Sequence, residues 1–154
     1  MATIQEHAAT VTEQAAQGLK RLVEAMPADR QTWRPLDEGR HALDQIQECA
    51  GANAMFAQAL TQRAFGDFDP ATIERHRAEM ATMDKALAVL ASATAGLVAA
   101  IRAFPDADLG KTITMPWGEQ ATFADILLFA YWNMTYHYGQ ISYIQTLYGD
   151  RGMH

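Results

Sequence analysis

Prolines and glycines divide this chain into four stretches of helical composition, and that punctuation constrains its fold more than any other feature. The first stretch runs from about Thr3 to Ala25, is rich in Ala, Gln and Glu, and stops before Pro27. A connection from Pro27 to Arg40 follows, carrying Trp33-Arg34-Pro35 and Asp37-Glu38-Gly39. The second stretch, about Ala42 to Ala64, ends in Phe65-Gly66-Asp67-Phe68-Asp69-Pro70, where Asp69 and Pro70 suit the N-cap and first residue of a new helix. The third, about Ala71 to Phe104, places Ile73, Met80, Met83, Leu87, Leu90, Leu97 and Ile101 at helical spacing and predicts one long helix. Thr112-Ile113-Thr114-Met115 followed by Pro116-Trp117-Gly118 predicts a short extended piece closed by a turn. Thr122 is placed to cap the fourth stretch, about Phe123 to Tyr148, and Gly149 to stop it. No internal repeat, low-complexity tract or linker interrupts the series, so the expectation is one all-α domain over residues 1–154, a four-helix bundle.

Composition narrows the chemistry. Twelve basic against 18 acidic residues give a net charge of −6, which argues against nucleic acid or acidic lipid as a partner, since both reward clustered Lys and Arg. The first residues, Met-Ala-Thr-Ile-Gln-Glu-His, carry neither a basic run nor a continuous apolar core, so a cytoplasmic protein is the expectation. The longest uncharged apolar run, Ala86 to Ile101, falls short of the roughly 18–20 residues of a membrane span. Metal and redox chemistry must be built from five His (7, 41, 76, 137 and 154) and Cys49, which rules out a disulfide framework and a multi-thiolate zinc site within one chain.

The fourth helical stretch has two apolar faces. Ile126, Ala130, Met134, His137, Ile141, Ile144 and Tyr148 fall on one stripe, and Phe129, Trp132, Tyr136, Tyr143 and Leu147 on another. A surface helix of a monomer needs only one such face, so the aromatic one meets either the Trp33 and Trp117 connections or a second subunit; a homodimer is the expectation. His137, on the core-facing stripe, can ligate a metal, act as a base, or hydrogen-bond inside the bundle. No His pair has the spacing that puts two imidazoles on one helix face, and the paired Glu-x-x-His segments of di-iron bundles are missing. Glu74, His76 and Glu79 are interleaved by Arg75 and Arg77 and read as a solvated face. Cys49 lies with Ala42, Ile46, Asn53, Phe56 and Leu60 and reads as a core thiol.

Four landmarks, in order, carry a family resemblance: Trp33-Arg34-Pro35, Ala42-Leu43-Asp44-Gln45-Ile46, Pro116-Trp117-Gly118, and above all Tyr136-His137-Tyr138-Gly139-Gln140-Ile141. Together they resemble the DinB-like superfamily over essentially the whole chain. The resemblance implies a bundle with up-down-down-up connectivity, often dimeric, and in many members a divalent metal held by three His, one from the second helix and two from the fourth. Carried onto this sequence, the last ligand matches His137, the one four residues earlier matches Asn133, and the second-helix ligand matches Glu48, so two of the three have changed. By helical period alone Glu48 lies away from the Ile46, Asn53, Leu60 stripe, and only the family register brings it to His137.

Two function classes follow from the resemblance. In one, the site is a degenerate metal-type centre that has lost its chemistry, a polar cluster in a dimeric binding or stress-associated module whose groove holds a small ligand or nothing. In the other, Glu48, Asn133 and His137 hold nickel, zinc or manganese for a small-molecule transferase, isomerase or hydrolase, with His137 as ligand or base. Tyr131, Tyr138 and Gln140 are then the candidate pocket groups.

Overall fold

A computed structural model describes residues 2–66 and 69–154. Five α-helices, α1 (Ile4–Glu24), α2 (Ala42–Gln62), α3 (Pro70–Glu79), α4 (Met83–Arg102) and α5 (Phe123–Leu147), are accompanied by a two-stranded hairpin of β1 (Thr112–Thr114) and β2 (Gln120–Thr122). Asp67 and Phe68, part of the expected turn before Asp69, lie outside the described residues.

Local capping explains most boundaries. The Thr3 hydroxyl accepts from the Glu6 amide, and the neutral face of His41 does the same for α2, its Nδ1 accepting from the Asp44 amide at 2.9 Å. Asp69 caps α3 as expected, with Pro70 at the first helical position. Thr122 and Asp125 form a reciprocal capping box at the start of α5. The single helix expected from Ala71 to Phe104 is instead two. Met80 leaves helical geometry, and the Thr82 side chain accepts from the Lys85 amide, so a new N-terminus interrupts a periodicity that continues across the break. The extended piece at Thr112 pairs antiparallel with β2, and Gly118 supplies the positive φ of 96° that the intervening turn demands.

Connectivity follows from which ends share a core. One apolar cluster joins the end of α1 (Leu19, Leu22), the start of α2 (Ile46), the start of α4 (Leu90) and the end of α5 (Ile141). The other joins Ala8 of α1, Leu60 of α2, Ile101 of α4 and Ile126 of α5. The four long helices therefore run up, down, down and up, with α2 packed on α4 and α5, and α1 on the same two. Asn53 sits at the level between the clusters and donates to the Thr94 hydroxyl at 2.9 Å.

Two expectations need adjusting. By length and composition α4 is long and apolar enough to cross a membrane, because the run begins at Met83 rather than Ala86; in this fold its stripe of Leu90, Leu97 and Ile101 faces the bundle interior. The aromatic face of α5 is not covered by the Trp33 and Trp117 connections. Those segments reach Tyr148 and Phe129, leaving Trp132, Tyr136, Tyr143 and Leu147 exposed.

Candidate functional site

His137 is fully buried on α5, and both of its ring nitrogens face oxygens. Nδ1 lies 3.0 Å from Oε1 of Gln45 and 3.1 Å from Oε1 of Gln140, while Nε2 lies 2.9 Å from Oε1 of Glu48. The two amide oxygens and the Glu48 carboxylate are all acceptors, so the ring faces them as a donor. The helical repeat assembles this set: Gln45 and Glu48 are one turn apart on α2, His137 and Gln140 one turn apart on α5, and α2 packs directly on α5. Glu48 does converge on His137, which the period of α2 alone does not indicate.

The cluster extends outward as alternating charges. Oε2 of Glu48 accepts from Arg40 at 2.7 Å, the Arg40 Nε donates to Asp44 at 2.6 Å, and the other Asp44 oxygen accepts from Arg77 of α3 at 2.7 Å. The His137 hydrogen bond, with further help from Arg40, holds the Glu48 carboxyl down at about 2 against the opposing effect of burial. Burial likewise opposes the charges of Asp44 and Arg40, but their mutual bonds outweigh it, lowering the first pKa and raising the second. Arg40, Asp44 and Gln45 join the site without any apolar periodicity to point to them. Their signal was present as a charge pattern, Arg40 four residues before Asp44 and Asp44 four before Glu48, with Gln45 on the buried side of the same helix.

Asn133 is half-buried and turns its amide nitrogen toward Sγ of Cys49 at 3.9 Å. Cys49 is fully buried, and desolvation pushes its thiol well above the ordinary value, in keeping with a core role. Tyr131 points out of the bundle, and the Tyr138 hydroxyl donates to the backbone oxygen of His154 at 2.8 Å; neither lines the groove beside Glu48. Glu74, His76 and Glu79 lie on an exposed face of α3. Gln140 belongs to the cluster.

Glu48 and Asn133 form one end of a cavity of about 560 Å³ roofed by α3. Met55, Phe56, Ile73, Phe129 and Trp132 supply most of its wall, and Gln47, Thr72, His76 and Arg77 add polar groups where α3 meets α2. The aromatics support one another, Phe129 lying 5.7 Å from Phe56 and 6.1 Å from both Trp117 and Trp132.

A resident divalent metal fits this donor set poorly. Only Nε2 of His137 and the Glu48 carboxylate converge, and Glu48 is already neutralised by Arg40, whose guanidinium would repel a cation. Asn133 offers a neutral amide, a weak ligand for transition metals. Among the described residues no group of three His, Cys, Asp or Glu could enclose an ion.

No curated protein matches the sequence. Among solved structures, the fold is similar to that of YfiT from Bacillus subtilis, described as a probable metal-dependent hydrolase with an unusual four-helix bundle topology; the two share 20% identity over 94% of this chain and 87% of that one, with a TM-score of 0.76. It is also similar to a mycothiol-dependent maleylpyruvate isomerase, at 14% identity and a TM-score of 0.68, covering 92% of this chain but 63% of that protein. The DinB superfamily model matches residues 11–141, a span that takes in Glu48, Asn133 and His137 together with most of all four long helices. By that match and by its up-down-down-up bundle, the chain belongs to the DinB superfamily.

Proposed function

We propose that this protein is a homodimeric, small-molecule-binding member of the superfamily in which a hydrogen-bonded His137–Glu48–Arg40 cluster stands at the position of the family's metal. The observation that carries this reading is the Glu48 carboxylate, fixed by His137 and Arg40 at one end of the 560 Å³ cavity, whose wall is largely apolar. A carboxyl held at about 2 stays ionised near neutral pH and is too weak a base to take a proton from a substrate. His137 is sealed in the core with both nitrogens engaged, so it positions Glu48 rather than meeting a ligand. A carboxylate has about four lone-pair sites, and two are in use, which leaves Glu48 able to accept from a ligand hydroxyl or amine. The ligand class is accordingly a small aromatic or aliphatic body with one hydrogen-bond donor.

Naphthalenemethanol is a suitable probe. Calorimetric titration should show saturable binding that weakens at least fivefold in Trp132→Ala. Native protein purified without chelator should contain substoichiometric nickel, zinc and manganese. Stoichiometric metal lost in His137→Ala would instead support the metal-dependent hydrolase or transferase reading suggested by the relatives, and would overturn this one.

A further inference from the structure

A second cavity, of about 800 Å³, lies on the opposite side of the same cluster. Its walls include Trp33, Leu36, Tyr143, Ile144 and Leu147, and its polar floor is made by Gln45, Gln140 and Arg40. Nothing in the proposed use of the first cavity involves it.

The floor has a fixed polarity. Gln45 and Gln140 both aim Oε1 at the same imidazole nitrogen, at 3.0 and 3.1 Å. A carboxamide whose oxygen is drawn inward must turn its amino group the other way, and here the other way is the cavity. Gln45 is only 1% exposed, yet its amide nitrogen has no hydrogen-bond partner among the described residues, and neither has that of Gln140. Neither nitrogen is closed off from the cavity, so each can donate to an oxygen placed there. Two such donors side by side select an oxygen acceptor.

Charge decides which acceptor. Arg40 could suggest an anion, but its Nε and one terminal nitrogen are bound to Asp44 and Glu48, so two carboxylates already offset it. Glu38 stands at the rim and adds a further negative charge. An uncharged carbonyl satisfies both amides without being repelled.

The backbone at the cavity mouth is also held in an uncommon form. Leu36 and Asp37 have φ of 56° and 61°, in the left-handed region that a bulky residue such as Leu seldom enters, and Leu36 is 92% exposed. Such conformations cluster where a segment is shaped for a ligand. An apolar occupant would cover a Leu36 side chain that otherwise faces water.

We infer that this second cavity binds a small neutral molecule with an apolar body and a carbonyl oxygen, received by the amide donors of Gln45 and Gln140. The test uses naphthamide, with naphthalene and naphthoate as controls, titrated into the intact protein by calorimetry and heteronuclear NMR. Naphthamide should bind saturably and shift the side-chain amide resonances of Gln45 and Gln140. Gln140→Glu keeps an oxygen for His137 but replaces the outward donor with an acceptor, and should weaken naphthamide at least tenfold. Ile73→Ala, in the first cavity and off the aromatic face of α5, should leave naphthamide binding unchanged, so failure of the first-cavity reading and failure of this one are separable. Equal affinity for naphthalene would show that the polar floor contributes nothing, and tighter binding of naphthoate would show that Arg40 is not offset; either overturns the inference.

Discussion

Glu48→Gln isolates the charge at the centre of the cluster, because glutamine keeps the shape and one acceptor oxygen for His137 while losing the attraction of Arg40. The carboxyl falls from 4.5 in its ordinary state to about 2 in the fold. At about 1.36 kcal/mol per pKa unit, that difference sets a ceiling of roughly 3 kcal/mol. The side chain is 39% exposed, so solvent screening reduces the expected contribution to about 1 kcal/mol. For a domain of this size that corresponds to about 2–4 °C in Tm.

The sign is fixed by linkage. A carboxyl depressed in the folded state contributes stability that is fully present above its unfolded value and is lost as pH falls through the folded one. The gap in Tm between the native protein and Glu48→Gln should therefore be constant from neutral pH to about 5, narrow below 4.5, and close near 2. Thermal melts of both proteins across that range supply the measurement, and acid effects at other sites cancel in the difference. A gap that does not change with pH would refute the ion-pair account of the cluster.

Three further outcomes are expected. His137→Ala strands the Gln45 oxygen in the core and leaves Glu48 with Arg40 alone, and should cost about 2–4 kcal/mol in urea unfolding; a loss below about 0.5 kcal/mol would show that the cluster is not structural. Leu36→Asn replaces a bulky residue at positive φ with one that tolerates it and should raise stability by about 0.5–1 kcal/mol, read as a higher denaturant midpoint with unchanged slope. Trp132→Lys combined with Tyr143→Lys places charge on the uncovered face of α5 and should convert a dimer to a monomer in light scattering; a native protein that is already monomeric removes the dimer from the proposal.

The bundle was legible because its determinants are local and periodic. Caps at Asp69 and Thr122, the buried α2 stripe through Ile46, Cys49 and Asn53, and the α5 stripe through Met134 and His137 all stand in the structure where the residues indicate. The break at Met80–Thr82 was hidden because the apolar spacing of Ile73, Met80 and Met83 runs on through it, and only a threonine cap marks the change. Glu48 was legible through the family register alone, and the helical period missed it for a different reason. A long side chain on the flank of α2 reaches His137 by its own length, and its direction is set by a charge partner, Arg40, that precedes the helix and leaves no trace in apolar periodicity.

Topology then explains why a cavity adjoins this cluster at all. Because α2 and α4 run the same way, the chain must return along the bundle before α4 can start, over a distance set by a helix of 21 residues, about 30 Å at 1.5 Å per residue. The returning segment includes α3, which buries no residue of its own and is tied down by side chains at its end: Gln47 donates to the Met80 carbonyl at 2.9 Å, and Arg77 binds Asp44. A connection held this way roofs the groove between α2 and α5 without filling it. In an up-down-up-down bundle a short loop would join α2 to α4, and the groove beside Glu48 would lie open to water. The same crossover that encloses the apolar walls also brings Arg77 to Asp44, so the outermost charge of the cluster is contributed by the roof of the cavity it borders.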